Sequence, residues 1–282
     1  MEIIDGRKIR DEILAGLKDR VAALPFVPVF CDVLVGNDPA SRQYVDMKDR
    51  VAEGLGIEAY GAHFPEEITT EELIDELAKI ATLPGMAGLI IQLPMPLHID
   101  ARAVLDAVPL ALDVDALSTE ASNLFYSDEP IFVFPTAAAV LAILDSLDIP
   151  LLDMSVCMAG KGMLVGAPVA HMLQARGISV DIIDSSTEDK EEIMRAADIV
   201  IAATGVAGLV KGDMLKEGAI VIDAGTSESG GGITGDIERA SVDKVASRLS
   251  PVPGGVGPVT VAMLMYNVVV SAERLAAKSA QE

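Results

Sequence analysis

Short apolar runs alternate with amphipathic helical stretches along most of the chain. The runs VFCDVLV (29–35), EAYGAHF (58–64), GLIIQL (88–93), SVCMAG (155–160), SVDIID (179–184), IVIAAT (199–204) and AIVIDAG (219–225) have the length and bounding expected of strands. Between them, TTEELIDELAKIAT and TEDKEEIMRAAD carry helical spacing with charged outer faces. Strands that are apolar on both sides and separated by helices predict parallel α/β sheets covered on both faces. The runs form two groups, before about residue 95 and after about residue 154. The intervening 97–153 region, with the apolar helix TAAAVLAILDSL, reads as a connector between two lobes.

One helix can be bounded from its ends. In VGNDPASRQYVDMKDRVAEGLGI (35–57), Asp38 followed by Pro39 is a capping carboxylate and then the position where proline's missing N–H is harmless, while Gly54 and Gly56 mark a stop. The spacing predicts a helix over roughly 39–55. At about 100° per residue, Tyr44, Val45, Val51, Ala52 and Leu55 share one arc and Arg42, Gln43, Asp46, Asp49, Arg50 and Glu53 the opposite one. Lys48 falls in the apolar arc, one turn after Tyr44. Two readings are open: a lysine that buries its stem and hydrates its head, or an amine held in a dry site for chemistry.

Composition narrows the partners. The chain has 282 residues, 51% hydrophobic, with 21 Lys and Arg against 43 Asp and Glu. A net charge of −22 repels a phosphate backbone, so nucleic acid is excluded as an expected partner, and an anionic ligand needs a locally positive cleft. Cys31 and Cys157 sit in apolar runs without metal or redox spacing, and His63, His98 and His171 lack ligand spacing, so no metal site is expected. The N-terminus is charged and no run approaches the roughly 18 apolar residues of a membrane span, which predicts a cytoplasmic protein without a membrane partner.

The clearest ligand signal is AGKGMLVGAPVAHMLQARG, which follows the run at 155–160. Gly160, Gly162 and Gly166 fall at a strand-to-helix junction, where backbone N–H groups and a helix N-terminus can approach a pyrophosphate. The spacing G-x-G-x-x-x-G is one residue longer than the usual dinucleotide fingerprint. Its context supports it, because the next strand ends in Asp184 about 20 residues on. A carboxylate there accepts hydrogen bonds from ribose hydroxyls and favours NAD. Lys161 and Ser185 pull toward a 2′-phosphate and NADP.

Taken together, VGNDPASRQYVDMK, GLIIQLPMPLHI, DVDAL, GKGMLVGAPVA, ADIVIAATG and SPVPGGVGPVTVAML resemble, in order, the signatures of the bifunctional methylenetetrahydrofolate dehydrogenase/methenyltetrahydrofolate cyclohydrolase family. The resemblance covers essentially the whole chain. It implies a two-lobed α/β fold, with a catalytic domain over 1–117 completed by a C-terminal helix at 258–282, and a Rossmann-type NAD(P)-binding domain over 118–257. It further implies a homodimer, tetrahydrofolate one-carbon derivatives as substrates, and NADP as first choice of cofactor with NAD open because of Asp184. Tyr44, Lys48 and Gln92 match the family's catalytic positions. Asp115 matches the aspartate that holds the pterin, and Gly254, Gly255 and Pro258 match the loop over the folate. Gly160, Lys161, Gly162, Ser185 and Thr226 match positions lining the dinucleotide.

The implied chemistry gives Lys48 a task. Hydride leaves the one-carbon bridge of methylenetetrahydrofolate, and water then adds to the methenyl cation to give formyltetrahydrofolate. The second step needs a group that takes and returns a proton near neutral pH. An ordinary lysine, with a pKa of about 10.4, is poorly suited; one desolvated on an apolar face near a cationic substrate is expected to give up its proton more readily. A dehydrogenase without the hydrolytic step, or a silent folate or dinucleotide binder, are the alternatives. The chain departs from the family pattern at Leu112 and Ala116, where lysine and glycine are usual. It departs again at FPTAAA (134–139) in place of a PCTP segment, and at Lys161 in place of an arginine, which loses bidentate geometry toward phosphate.

Overall fold

The computed structural model describes residues 1–229 and 232–281. In chain order the elements are β1 (Glu2–Ile3), α1 (Gly6–Ala22), β2 (Val29–Val35), α2 (Pro39–Leu55), β3 (Glu58–Phe64), α3 (Thr70–Ile80) and β4 (Met86–Ile91). Then come α4 (Ala101–Asp106), α5 (Thr119–Tyr126), α6 (Pro135–Asp145), β5 (Val156–Ala159), α7 (Gly166–Ala175), β6 (Val180–Ile183), α8 (Lys190–Ala196) and β7 (Ile199–Ala202). The chain finishes with β8 (Ile220–Asp223), β9 (Ser227–Ser229), β10 (Gly232–Thr234), α9 (Arg239–Val242), β11 (Arg248–Ser250) and α10 (Val256–Ser279).

Two compact units result. One comprises Ile13–Val133 and Leu264–Glu282, the other Met1–Glu12 and Phe134–Met263. Residues 1–12, 118–133 and 258–263 therefore group differently from the ranges read off the sequence. The first of these differences has a direct cause, since β1 completes the larger sheet by pairing in parallel with β11, Glu2 opposite Arg248.

The smaller sheet has the order β3-β2-β4, all parallel. Every residue of β2 is buried. Val29, Cys31, Val33 and Val35 point into one core with Leu73, Leu77 and Ile80 of α3 and Leu89 and Ile91 of β4. By strand alternation, Phe30, Asp32 and Leu34 face the other side, where α2 packs. The bounds of α2 agree with its predicted caps: Asp38 accepts from the Ser41 N–H at 2.7 Å, and Gly56 closes the helix at φ 85°. Such an N-cap is worth about 1 kcal/mol.

The larger sheet has the order β1-β11-β8-β7-β5-β6, again parallel. The chain runs from β5 to β6 on one side and to β7 on the other, so a topological switch point falls between β5 and β7. All four residues of each of β5, β7 and β8 are buried, as the apolar runs predict, with Asp223 closing β8.

Helix α10 is long and apolar enough to cross a membrane by length and composition, and 61% of its most apolar window is buried within the fold. Its second half is tied into the smaller unit. Asn267 donates to the carbonyls of Val114 and Val133, each at 2.8 Å, Ser271 donates to that of Ala111 at 3.0 Å, and Glu273 accepts a two-pronged contact from Arg20.

Ala116, one of the departures noted above, adopts a left-handed backbone at φ 58°. Its Cβ is crowded there, which costs roughly 1–2 kcal/mol. The local turn holds it in place: Asp113 accepts N–H groups from Leu117 at 3.1 Å and Ser118 at 2.9 Å. Replacing Ala116 by glycine relieves the crowding but loosens the unfolded chain, so Ala116→Gly is expected to raise unfolding free energy by about 0.5–1 kcal/mol, read from urea denaturation at constant m-value.

Candidate functional site

Lys48 is 1% exposed, so its head is not hydrated and the snorkelling reading fails. Its Nζ donates to Gln92 Oε1 at 2.9 Å and lies 4.7 Å from the centre of the Tyr44 ring. The three residues matched to catalytic positions thus meet around one amine. Tyr44 is brought there by helical spacing. Gln92 follows directly after β4, where its N–H bonds the Val33 carbonyl at 2.9 Å and its side-chain amide bonds the Leu93 carbonyl at 3.1 Å, so the oxygen is left facing Lys48.

A fourth residue joins them that sequence reading did not find. Asp32 Oδ2 lies 2.5 Å from Lys48 Nζ, and Asp32 is 1% exposed. The amine is therefore not simply in an apolar crevice, because a carboxylate compensates its charge. Burial raises the Asp32 pKa and Lys48 opposes that rise. The available signal was a lone carboxylate inside VFCDVLV, a run otherwise wholly apolar.

Carboxylates and a phenol surround this pair. Asp115 is pushed up to about 6, chiefly by burial, with Lys48 pulling it down and Asp113 and Asp32 adding to the rise. Asp49, next to Lys48 in sequence, is also pushed up to about 6 by burial and then by Asp32. Burial raises the Tyr44 phenol as well, with Asp115 and Asp32 contributing, so it stays a neutral hydroxyl at physiological pH.

In the larger unit the dinucleotide candidates gather at the carboxyl ends of the strands. Gly160 follows β5 with φ 103°, and a Cβ there would stand 2.2 Å from the Ala203 carbonyl oxygen. A Cβ on Gly166, the first residue of α7, would stand 2.1 Å from the Gly160 oxygen. Both positions require glycine, and together they bring the strand end, the turn and the helix start into close approach. Around Gly162 the space is open. Asp184 and Ser185 follow β6, and Thr226 lies beyond β8, with Ser185 and Thr226 exposed.

Lys161 and Asp184, which sequence reading set against each other, are bonded to each other. Lys161 Nζ pairs with Asp184 Oδ2, while Oδ1 accepts the Ser186 N–H at 2.8 Å and its hydroxyl at 2.6 Å. The Lys161 ammonium, then Ser186, hold this carboxyl well below the usual carboxylate range. Each therefore tempers the charge that the other would present to a ribose or its phosphate.

A second feature escaped sequence reading. Buried Asp236 accepts from the Thr204 N–H at 2.5 Å, the Thr204 hydroxyl at 2.9 Å and the Gly205 N–H at 3.2 Å, fixing the loop after β7. Asp223, at the end of β8, accepts N–H groups from Gly225, Asp236 and Ile237. Gly254, at φ 104°, Gly255 and Pro258 form the turn into α10 and its first residues, within the larger unit as far as Met263. Among the described residues no group of three or more His, Cys, Asp or Glu side chains is arranged to hold a metal ion.

A parallel α/β unit with a glycine turn at its switch point, accompanied by a second α/β unit holding a buried amine, defines a two-domain nucleotide-dependent enzyme class. The chain belongs to the tetrahydrofolate dehydrogenase/cyclohydrolase family: that family's catalytic domain matches residues 4–115 and its NAD(P)-binding domain residues 135–276. It is 37% identical over 277 residues to the bifunctional protein FolD of Lacticaseibacillus paracasei, covering 97% of this chain and 98% of that one. Among solved structures it resembles the bifunctional FolD enzyme of Campylobacter jejuni, with a TM-score of 0.92 and 33% identity over 98% of this chain and 99% of the other. The Trypanosoma brucei FolD, solved with NADP cofactor and an inhibitor, gives a TM-score of 0.91 and 32% identity over 97% of each chain.

The Lys161–Asp184 pair sets an expectation for cofactor choice. Asp184→Ser removes the carboxylate and frees the ammonium for a 2′-phosphate. The ratio of kcat/KM for NADP to that for NAD is expected to rise about tenfold or more, measured by reduced-nicotinamide absorbance with each cofactor.

Proposed function

We propose that this chain oxidises methylenetetrahydrofolate to methenyltetrahydrofolate with NADP and hydrolyses the product to formyltetrahydrofolate. The observation that carries this reading is the buried Lys48 amine, bonded to Gln92 and faced by the Tyr44 ring, in a chain of this family. Gly160, Lys161, Gly162, Asp184, Ser185 and Thr226 would hold the dinucleotide. The close approach of Gly160 to Gly166, with open space around Gly162, is what a pyrophosphate-binding turn requires and supports that fit. When bound, NADP supplies the acceptor for the hydride.

The chain's own residues account for the rest. Asp115, as a carboxylate, accepts hydrogen bonds from the pterin ring, and Gly254, Gly255 and Pro258 match the family's folate-loop positions. Tyr44 offers a neutral ring face and hydroxyl for stacking and hydrogen bonding. In the hydrolytic step, a water oxygen bonds to the methenyl carbon and one water proton passes to the Lys48 amine. The resulting ammonium returns that proton to the departing ring nitrogen as its bond to carbon opens, and the adduct's remaining hydroxyl proton leaves to solvent as the formyl C=O forms. Gln92 keeps Nζ directed at the reacting water.

The reading extends to a cytoplasmic homodimer. Support for association comes from β6, an edge strand of the larger sheet on which Ile182 is 41% exposed. The charge of −22 argues against nucleic acid as a partner.

Two outcomes test this function. Removing Lys48 alone strands the buried Asp32, so Lys48→Met is expected to lose about 3–5 kcal/mol of stability. The double variant Lys48→Met with Asp32→Val replaces the pair by apolar groups and is expected to recover most of that stability. Its methenyl hydrolysis should still fall about 10²–10⁴-fold, and hydrolysis at the wild-type rate would refute the role of Lys48. Asp115, whose carboxyl titrates at about 6, loses its charge as pH falls through that value. The KM for methylenetetrahydrofolate should therefore climb toward tenfold per pH unit below about 6, whereas in Asp115→Asn it should be high and flat over that range.

A further inference from the structure

The carboxylate beside Lys48 is hard to explain as a stabilising feature. Taking a Lys–Asp pair out of water offsets most of its attraction, so such a pair is weak support for a fold. Asp32 Oδ2 forms an ion pair with the amine, yet both carboxylate oxygens are buried and neither has a partner of hydrogen-bond geometry, an arrangement that packing alone disfavours. The strand would hold its place with an apolar residue at this position, since Phe30 and Leu34 on the same face are both buried.

We infer that Asp32 is a positioning residue for the hydrolytic step, holding Lys48 Nζ and neutralising the ammonium that forms when the amine takes a proton from the attacking water. The inference rests on Lys48 being the hydrolytic base. The amine accepts the proton while the water oxygen bonds to the methenyl carbon, and the carboxylate stabilises the new cation without receiving the proton itself. Gln92 and Asp32 then divide the work, one binding the amine through a neutral oxygen and the other through charge. The groups facing the pair are Lys48's neighbours Tyr44 and Asp49 on α2, Gln92 after β4 and Asp115 in the segment between α4 and α5; Cys31 adjoins Asp32 on β2. Of these, Asp49 and Asp115 are both pushed up to about 6, so at pH 7.5 and above both stay charged and neither adds a limb to the profile.

Asp32→Asn and Asp32→Val, each assayed for methenyl hydrolysis and for NADP reduction across pH 5.5 to 9.5, test the inference. Both variants remove the anion that favours the protonated amine. Hydrolysis is expected to fall at least tenfold relative to hydride transfer, and the rising limb of its pH profile to move at least one unit toward acid. Asp32→Glu, which keeps the charge, is expected to restore the midpoint at least in part. A folded Asp32→Asn enzyme with the wild-type ratio and wild-type midpoint would overturn the role of Asp32, and so would a variant that hydrolyses faster than wild type. Wild-type hydrolysis in the Lys48→Met, Asp32→Val double variant would instead overturn the underlying site.

Discussion

A buried ammonium is kept where something answers its charge, and the contact between Lys48 and Asp32 is what answers it here. The pair lies between a strand and a helix, each supplying one member, so its geometry depends on the register of β2 and the rotation of α2. Shifting β2 by one residue would turn Asp32 into the opposite core and leave Lys48 without an anion. The caps of α2 matter for the same reason: Asp38 at one end and Gly56 at the other fix which residues of the helix face the sheet. Gln92 and Tyr44 then refine the position of an amine whose presence they do not explain.

The larger unit satisfies a different constraint, the close approach of backbone to backbone. At the switch point the strand end after β5 runs against Ala203, and the start of α7 runs against Gly160, both at distances that exclude a side chain. Asp236 and Asp223 hold the adjacent loops by accepting main-chain N–H groups, so polar contacts as well as packing fix these loops, while Asp236 Oδ1 is itself buried without a hydrogen-bond partner. Lys161 with Asp184, an exposed charged pair beside this turn, is a part open to adjustment by a ligand.

The sequence made the elements legible wherever their own residues determine them. The caps of α2 gave its span to the residue because Asp-Pro and glycine are local signals, and the runs read as β2 and β3 also match their observed spans, the first apolar but for Asp32 and the second mixed. The run read as 88–93 forms β4 at Met86–Ile91, because its end is set by the turn in which Gln92 bonds across to Val33. Strands β1 and β11, of two and three residues, left no periodicity to read, and they exist because each completes its neighbour's hydrogen bonding. The site was legible in the same uneven way. Lys48 was conspicuous on an apolar face, whereas Asp32 resembled an interruption in a strand, and only the fold brings the two within 2.5 Å. The bond between Lys161 and Asp184 was hidden for the same reason, since residues 23 positions apart in sequence meet only once β5 and β6 pair.

The division of the chain has a consequence for its ancestry and handling. The first 12 residues fold with Phe134–Met263, while Leu264–Glu282 fold with Ile13–Val133, so each unit is assembled from two separated stretches of polypeptide. Cutting the gene in the middle could not release two self-sufficient halves, because each fragment would lack a terminal piece retained by the other. The unit bearing the amine also closes only after the segment carrying Asn267 and Ser271 has been made, long after Ile13–Val133 has left the ribosome.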